Sequence, residues 1–334
     1  MSLFTRHRGD MASLPVEGHL PGFDGSTGWL NSAPLTPEAL RGKVVLVDFW
    51  TYTCINWLRT LGYIRAWAER YREQGLVVVG VHTPEFPFEH DVDNVREAVE
   101  AMKVDWPVPL DNDYGVWRAF DNHYWPAVYV ADTEGALRHH QFGEGGYDEC
   151  ERVIQGLLGV EDGLVSPTLE GFEVQADLAN LQSPETYLGS EQTQNFAGTD
   201  EGELRLNQWA LSGDWTIEGG KSVLNGAEGS VAFRFHARDV NLVMSPPTRG
   251  AALPFHVLVD GAPPGDAHGF DVDEDGRGTL AQQRLHQLIR EPTGSIADRT
   301  FEIVFEAPGA EAYCFTFGQD PSGRSPTPGR TRAG

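Results

Sequence analysis

Cys54 lies in the stretch "VVLVDFWTYTCINWLRT", residues 44–60, where an apolar run passes through a short polar turn into helical spacing. A thiol at such a junction faces the positive end of a helix dipole and unpaired backbone N–H groups, and both stabilise the thiolate. Thiolate is the nucleophile toward disulfides and peroxides, so position makes Cys54 a candidate reactive group. A buried structural cysteine is the alternative, and the polar turn residues Thr51, Tyr52 and Thr53 favour reactivity. The third residue after Cys54 is Trp57. Cys150 precedes Val153, Ile154 and Leu157 at helical spacing, and Cys314 falls in the alternating run "EAYCFTFG". Both read as structural thiols; a distant resolving role for either requires close Cα approach.

Other residues are candidates to complete the site. "GVHTPEFPFEH" begins at the carboxyl end of the apolar run Leu76–Val81, the sheet edge at which α/β proteins carry chemistry. His82 and Glu85 are therefore expected near the Cys54 turn. His82 either stabilises the thiolate or relays a proton, or it is a loop histidine bonded to a carbonyl. His123, just before Trp125-Pro126, is a second candidate for that task. Trp57 and Trp125 either form an apolar lip over the thiol or simply pack.

Alternating strand and helix patterns must position these groups. Val44–Trp50 is a continuous apolar run of strand length. Ile55, Leu58, Leu61, Ile64, Trp67, Ala68 and Tyr71 follow at helical spacing, and Gly75 is a stop signal. Leu76–Val81 reads as a second strand, and Val92, Val95, Val99 and Met102 as a helix. Strand signals return at Ala127–Ala131 and Leu137–Phe142, and a last helix ends at Gly159. Such alternation predicts βαβ units and a largely parallel central sheet over residues 1–162. From 163 to 320 strict alternation dominates, as in "SVAFRFHARDV" and "RTFEIVFEA", with turns such as "VDGAPPG". This predicts an antiparallel β-sandwich. "TLAQQRLHQLIR" fits a strand or a short helix. Residues 321–334, Pro/Gly/Arg-rich, read as a disordered tail.

The chain of 334 residues is 40 % hydrophobic, enough for two domains, and its formal net charge is −24. That charge argues against a nucleic-acid partner. No apolar stretch approaches membrane-spanning length, and the N-terminus lacks a secretory signal pattern, so a cytoplasmic protein is expected. The first three residues could be a cloning remnant, and Met11 is an alternative start. Three scattered cysteines form neither a disulfide framework nor a zinc pattern, which suits a reducing compartment; neither metal nor cofactor is expected.

"VVLVDFW" followed by a helix-initiating cysteine resembles the thioredoxin fold. "LPGFDGSTGWLNSAPLTPEALRGKVVLVDFW" resembles the entry to its TlpA-like and alkyl-hydroperoxide-reductase-like (AhpC/TSA-like) branch. The resemblance implies a mixed central sheet flanked by helices. It identifies Pro126 of "YWPAVYVAD" with the family's cis-proline, which faces the active cysteine. It identifies Asp48 with the family's buried acid, which in dithiol members helps deprotonate the second cysteine. "FWTYTCINWLRT", "GVHTPEFPFE", "VPLDNDYGVWRAFDNHYWPAVYVAD" and "RHHQFGEG" resemble the C-terminal region of DipZ-type proteins. "LNQWALSGDWTI", "FRFHARDVNLV" and "DRTFEIVFEAPGAEAYCFTFG" resemble the carbohydrate-binding-module-like, jelly-roll-like sandwich that follows there. The likeness runs from about residue 20 to 318 and omits the membrane-embedded part of DipZ, implying a free, soluble version with no membrane partner. Two positions depart from the pattern. Trp57 replaces the second thiol of Cys-x-x-Cys, and Gly62 stands where relatives often have a helix-kinking proline. Thr51, three residues before Cys54, echoes the Thr/Ser-x-x-Cys of peroxiredoxins, though their preceding proline is Val47 here.

Catalysis is therefore assigned to Cys54, Asp48, Pro126, Trp57, Thr51 and His82, and substrate contact to Trp125, Glu85 and His123. The expected activity is monothiol redox chemistry in an antioxidant or redox-homeostasis role. Cys54 attacks a disulfide or a peroxide, and a low-molecular-weight thiol or a reductase partner resolves the product. The alternative is a non-catalytic thioredoxin-fold scaffold whose sandwich binds a glycan or a protein. For a glycan, Trp209, Trp215 and Tyr313 are the aromatics to inspect, with core packing as the alternative. Asp271, Asp273, Asp275 and Gly276 begin like a calcium loop, but Gln282 stands where an EF-hand needs a bidentate Glu. An EF-hand is excluded and an acidic turn is the default reading.

Overall fold

The computed structural model describes residues 14–199, 202–292, 294 and 296–318. Met11 and the tail expected at 321–334 lie outside the described residues. Two units separate after residue 173.

The first unit contains β1 (Gly18–His19), β2 (Gly28–Leu30), β3 (Val44–Trp50), α1 (Ile55–Tyr71), β4 (Leu76–His82) and α2 (Val92–Ala101). It continues with β5 (Val108–Leu110), α3 (Gly115–Ala119), β6 (Ala127–Ala131), β7 (Ala136–Phe142) and α4 (Tyr147–Leu158). The sheet order is β1-β7-β6-β3-β4-β5-β2. Only β3/β4 and β4/β5 are parallel; β3/β6, β6/β7, β1/β7 and β2/β5 are antiparallel. The sheet is thus mixed, a thioredoxin-like fold, rather than largely parallel as the alternation alone suggests. Periodicity registers the two central crossovers but not the hairpin β6–β7 or the two-to-three-residue edge strands.

Every residue of β3 is buried, which explains a pattern that is apolar at every position but Asp48. α1 buries Ile55, Leu58, Leu61, Ile64, Trp67 and Tyr71, as their spacing demands. α4 ends where Gly159 adopts φ +70°, a left-handed cap that suits glycine. Residues 163–173 lie with this unit. The Val165 N–H donates to both carboxylate oxygens of Glu151 at 2.9 Å, and Glu173 pairs with Arg65 at 3.0 Å. A Cβ on Gly62 would come within 2.6 Å of Leu169 Cδ2, so the bare glycine in mid-helix is what admits this segment.

The second unit is a curled antiparallel sheet of ten strands: β8 (Thr186–Tyr187), β9 (Phe196–Thr199), β10 (Trp209–Ile217), β11 (Ser222–Phe235), β12 (Asp239–Ser245), β13 (Leu253–Val259), β14 (Arg277–Leu280), β15 (Arg284–Arg290), β16 (Arg299–Phe305) and β17 (Glu311–Thr316). Only β9 with β10 is parallel. Fourteen-residue β11 joins the sheet's parts, pairing with β16 over 229–235 and with β17 at 222–223. Ladder bonding is therefore continuous around one core that includes Trp209, Phe233, Phe301 and Phe315. "TLAQQRLHQLIR" resolves into β14 and β15.

Candidate thiol site

Strand β3 and helix α1 place Cys54 at the helix N-cap, in extended conformation, with its carbonyl accepting from Leu58 N–H at 3.0 Å. Its own N–H donates to the Thr51 carbonyl at 3.2 Å, closing the turn. The side chain is half-buried, and its Sγ lies 3.8 Å from the carbonyl of Trp125. The Trp125–Pro126 peptide bond is cis.

Beneath this turn the residues are buried and aromatic. Asp48 is fully buried, and Trp57 Nε1 donates to its Oδ2 at 2.8 Å; Oδ1 has no partner. Burial pushes the Asp48 carboxyl up to about 8, the indole bond pulling weakly the other way. Trp57 is itself buried and stacks on Trp50 at 4.3 Å, so it packs inward and forms no lip at the surface. Trp50 meets His82 edge-on at 4.9 Å, and Tyr52 stacks on the imidazole at 5.8 Å. Neither ring nitrogen of His82 has a hydrogen-bond partner, and burial pushes its pKa down to about 3. His82 is thus a neutral core imidazole, neither bonded to a carbonyl nor a cation beside the thiol. The β3/β4 register, Asp48 opposite Gly80 and Trp50 opposite His82, puts these side chains on one face.

The remaining candidates divide between buried and exposed. Thr51 is buried and contributes its carbonyl to the turn. The Trp125 indole is buried, packs on Trp117 at 4.3 Å and donates to the Thr83 carbonyl at 3.1 Å; only its backbone carbonyl meets the thiol. Glu85 is half-buried, its amide donating to Glu89. His123 is exposed, with Nε2 3.5 Å from Asp121. Cys150 is buried, and burial together with the nearby Glu151 and Asp48 charges pushes its thiol well above the ordinary range. Cys314 is buried in β17, and none of the three cysteines is in a disulfide.

Sequence reasoning missed two buried groups. Arg59 pairs with Glu144 at 3.3 Å, both buried. Glu89, fully buried, accepts from Thr53 Oγ1 at 2.6 Å, from Glu85 N at 2.6 Å and from Phe86 N at 2.8 Å. Its signal was legible: a 3-10 turn over Pro87–His90 places Glu three residues after its cap Phe86, with Pro at the first position. Burial raises the Glu89 carboxyl and the hydrogen bonds oppose that shift.

In the second unit Trp209 and Tyr313 are core residues, with Trp209 Nε1 on the Gln194 carbonyl and the Tyr313 hydroxyl on Glu311. Trp215 is half-buried, edge-on to Phe305. The acids of "DVDEDG" are held by protein donors: Asp271 by Arg284 and the Gln287 amide, Asp273 by the Arg277 amide, Asp275 by the Arg277 guanidinium. Among the described residues no group of three or more His, Cys, Asp or Glu side chains could hold a metal, and no helix is long and apolar enough to cross a membrane.

Residues 18–140 match the AhpC/TSA family, and residues 183–318 match the thioredoxin-like C-terminal domain family. Protein DipZ of Mycobacterium tuberculosis is 35 % identical over 323 residues, covering 92 % of this chain and 44 % of that protein. The chain thus spans under half the length of its DipZ relatives. The thiol-disulfide oxidoreductase YkuV of Bacillus subtilis is 30 % identical over 139 residues, covering 42 % of this chain and 93 % of that protein. A solution structure of a thioredoxin-like protein in the oxidized form covers 44 % of this chain and 99 % of its own, with 30 % identity and a TM-score of 0.40. By the two family matches and the 30 % identity to YkuV across 93 % of that protein, the chain belongs to the thioredoxin-like redoxin family, with a thiol-disulfide-oxidoreductase-like first unit and a thioredoxin-like C-terminal domain as its second.

Proposed function

We propose that the protein is a monothiol redox enzyme in which Cys54 attacks a disulfide or a peroxide and an external thiol completes the cycle. One observation carries this reading: the half-buried Cys54 thiol sits at the helix N-cap on the carbonyl of the cis-proline loop, while position 57 holds a buried indole bonded to Asp48. With a disulfide, the thiolate forms a new S–S bond as the old one breaks, and the leaving thiolate takes a proton. With a peroxide, the thiolate attacks one oxygen, the O–O bond breaks, and sulfenic acid and water or alcohol form. A low-molecular-weight thiol condenses with the sulfenic acid, losing water. In both branches the Cys54 mixed disulfide is released by attack of a further external thiol, which regenerates Cys54. The lack of a disulfide at any cysteine and of a thiol at position 57 supports this sequence and suits a reducing, cytoplasmic setting.

The test treats the full chain with hydrogen peroxide and dimedone, and separately with oxidised glutathione, and maps adducts by mass spectrometry. A dimedone adduct on Cys54 supports the peroxidase branch, and a glutathione adduct alone supports the disulfide branch. The second reading, a non-catalytic scaffold, draws on the Asp48–Trp57 bond that fills the resolving position. Absence of both adducts in folded protein would establish it over the first.

A further inference from the structure

Three segments meet around Cys54: the turn 51–53, the loop 83–90 and the loop before Pro126. Hydrogen bonds join them in a closed ring. Cys54 Sγ contacts the Trp125 carbonyl; Trp125 Nε1 donates to the Thr83 carbonyl; and the loop beyond Thr83 is gripped by Glu89 through the amides of Glu85 and Phe86. The ring closes where Thr53 Oγ1 donates to the same carboxylate at 2.6 Å, one residue before Cys54. Thr51 faces Glu89 as well. We infer that Glu89 is the positioning residue of the Cys54 thiol, its buried carboxylate fastening the active turn to the loop 83–90 through Thr53.

A carboxyl group suits this task because both of its oxygens can accept. Glu89 uses Oε1 for Thr53 and Oε2 for the two amides, so no amide-bearing side chain can serve all three donors. Glu89 is fully buried, which keeps water from competing for these acceptors. Glu89 touches no reacting atom; its effect reaches the thiol through the Thr53–Cys54 peptide. The inference rests on Cys54 being the reacting group.

Iodoacetamide alkylation of Cys54 tests it, with rates followed by mass spectrometry in the full chain, in Glu89→Gln, Thr53→Val, Thr53→Ser and the double variant Glu89→Gln/Thr53→Val. Circular dichroism first selects the variants that fold. Glu89→Gln and Thr53→Val are each expected to slow alkylation about tenfold, the size of one buried hydrogen bond. Thr53→Ser keeps the hydroxyl and is expected to keep the parent rate; the double variant is expected to be no slower than either single one. A general loss of packing would lower the melting temperature of Thr53→Ser and Thr53→Val alike without separating their rates. Parent-like alkylation in folded Glu89→Gln or in Thr53→Val overturns the inference, as do additive losses in the double variant. The ratio of variant to parent decides the role of Glu89 whatever the parent's absolute rate. The parent's rate against free cysteine decides the proposed function itself, so the two failures are told apart.

Discussion

Trp57 marks how far this site departs from a dithiol centre. Its indole is the hydrogen-bond donor to a carboxyl that is otherwise sealed in the core, and it stacks on Trp50 besides. Trp57→Phe keeps most of the stack and leaves Oδ2 of Asp48 without that bond. Orphaning a buried polar group costs about 1–3 kcal/mol, so urea unfolding should show a loss in that range. Asp48→Asn keeps an acceptor for the indole and removes the titrating group. It should fold and, across the window from about 3.8 to 8, lose less stability with rising pH than the parent, because the native Asp48 carboxyl titrates at about 8. At this scale the sequence displayed Cys54, Asp48 and Trp57 plainly. It hid the burial of His82, because an imidazole at a strand end reads alike whether an aromatic pair covers it or solvent does.

Helix α1 carries two jobs on its two faces: presenting Cys54 at its start and accepting the segment 163–173 across Gly62. Alanine is favoured over glycine in a helix interior by about 1 kcal/mol, so an open helix would gain from Gly62→Ala. Here the added methyl would press on Leu169 at 2.6 Å, and crowding of this kind outweighs that gain. The variant should melt at lower temperature than the parent, with faster proteolysis in 163–173. A rise in melting temperature would show that the segment yields at no cost. The long elements of the fold were legible because each carries a full period of burial: β3, α1, β4, β6 and α4 fall where the apolar residues put them. The edge strands β1 and β2 and the short inner strand β5 were not, being two or three residues held by partners distant in sequence. What is legible in the sequence is a change of pattern after 162, and the two units divide after 173. That the next eleven residues stay with the first unit was not legible, because Glu151, Arg65 and Gly62 hold them from other elements.

Across the whole molecule, buried titrating groups give the two units different responses to pH. His82 in the first unit and His286 in the second are both pushed by burial down to about 3. Each binds a proton more readily when unfolded, so each contributes stability that is present above about 6.5 and is lost as pH falls toward 3. Asp48 acts in the opposite sense: its neutral form is favoured by the fold, and that contribution is full below 3.8 and lost as pH rises through about 8. Glu89 and Asp111 are raised by burial as well and add to the first unit's preference for lower pH. Hydrogen exchange followed by mass spectrometry should therefore show the first unit weakening between pH 6.5 and 8 while the second holds steady, after correction for intrinsic exchange. Equal weakening in both units would contradict the assignment of that effect to Asp48. Trp209 and Tyr313 of the second unit are buried, and the redox chemistry proposed for the molecule centres on Cys54 of the first unit. The most direct test of that claim incubates the reduced full chain with oxidised glutathione and maps the product by peptide mass spectrometry. The account predicts one glutathione per chain, on Cys54, removed by excess reduced glutathione and absent from Cys54→Ser. No adduct on Cys54 in the folded protein, or adducts on Cys150 or Cys314 instead, would contradict it.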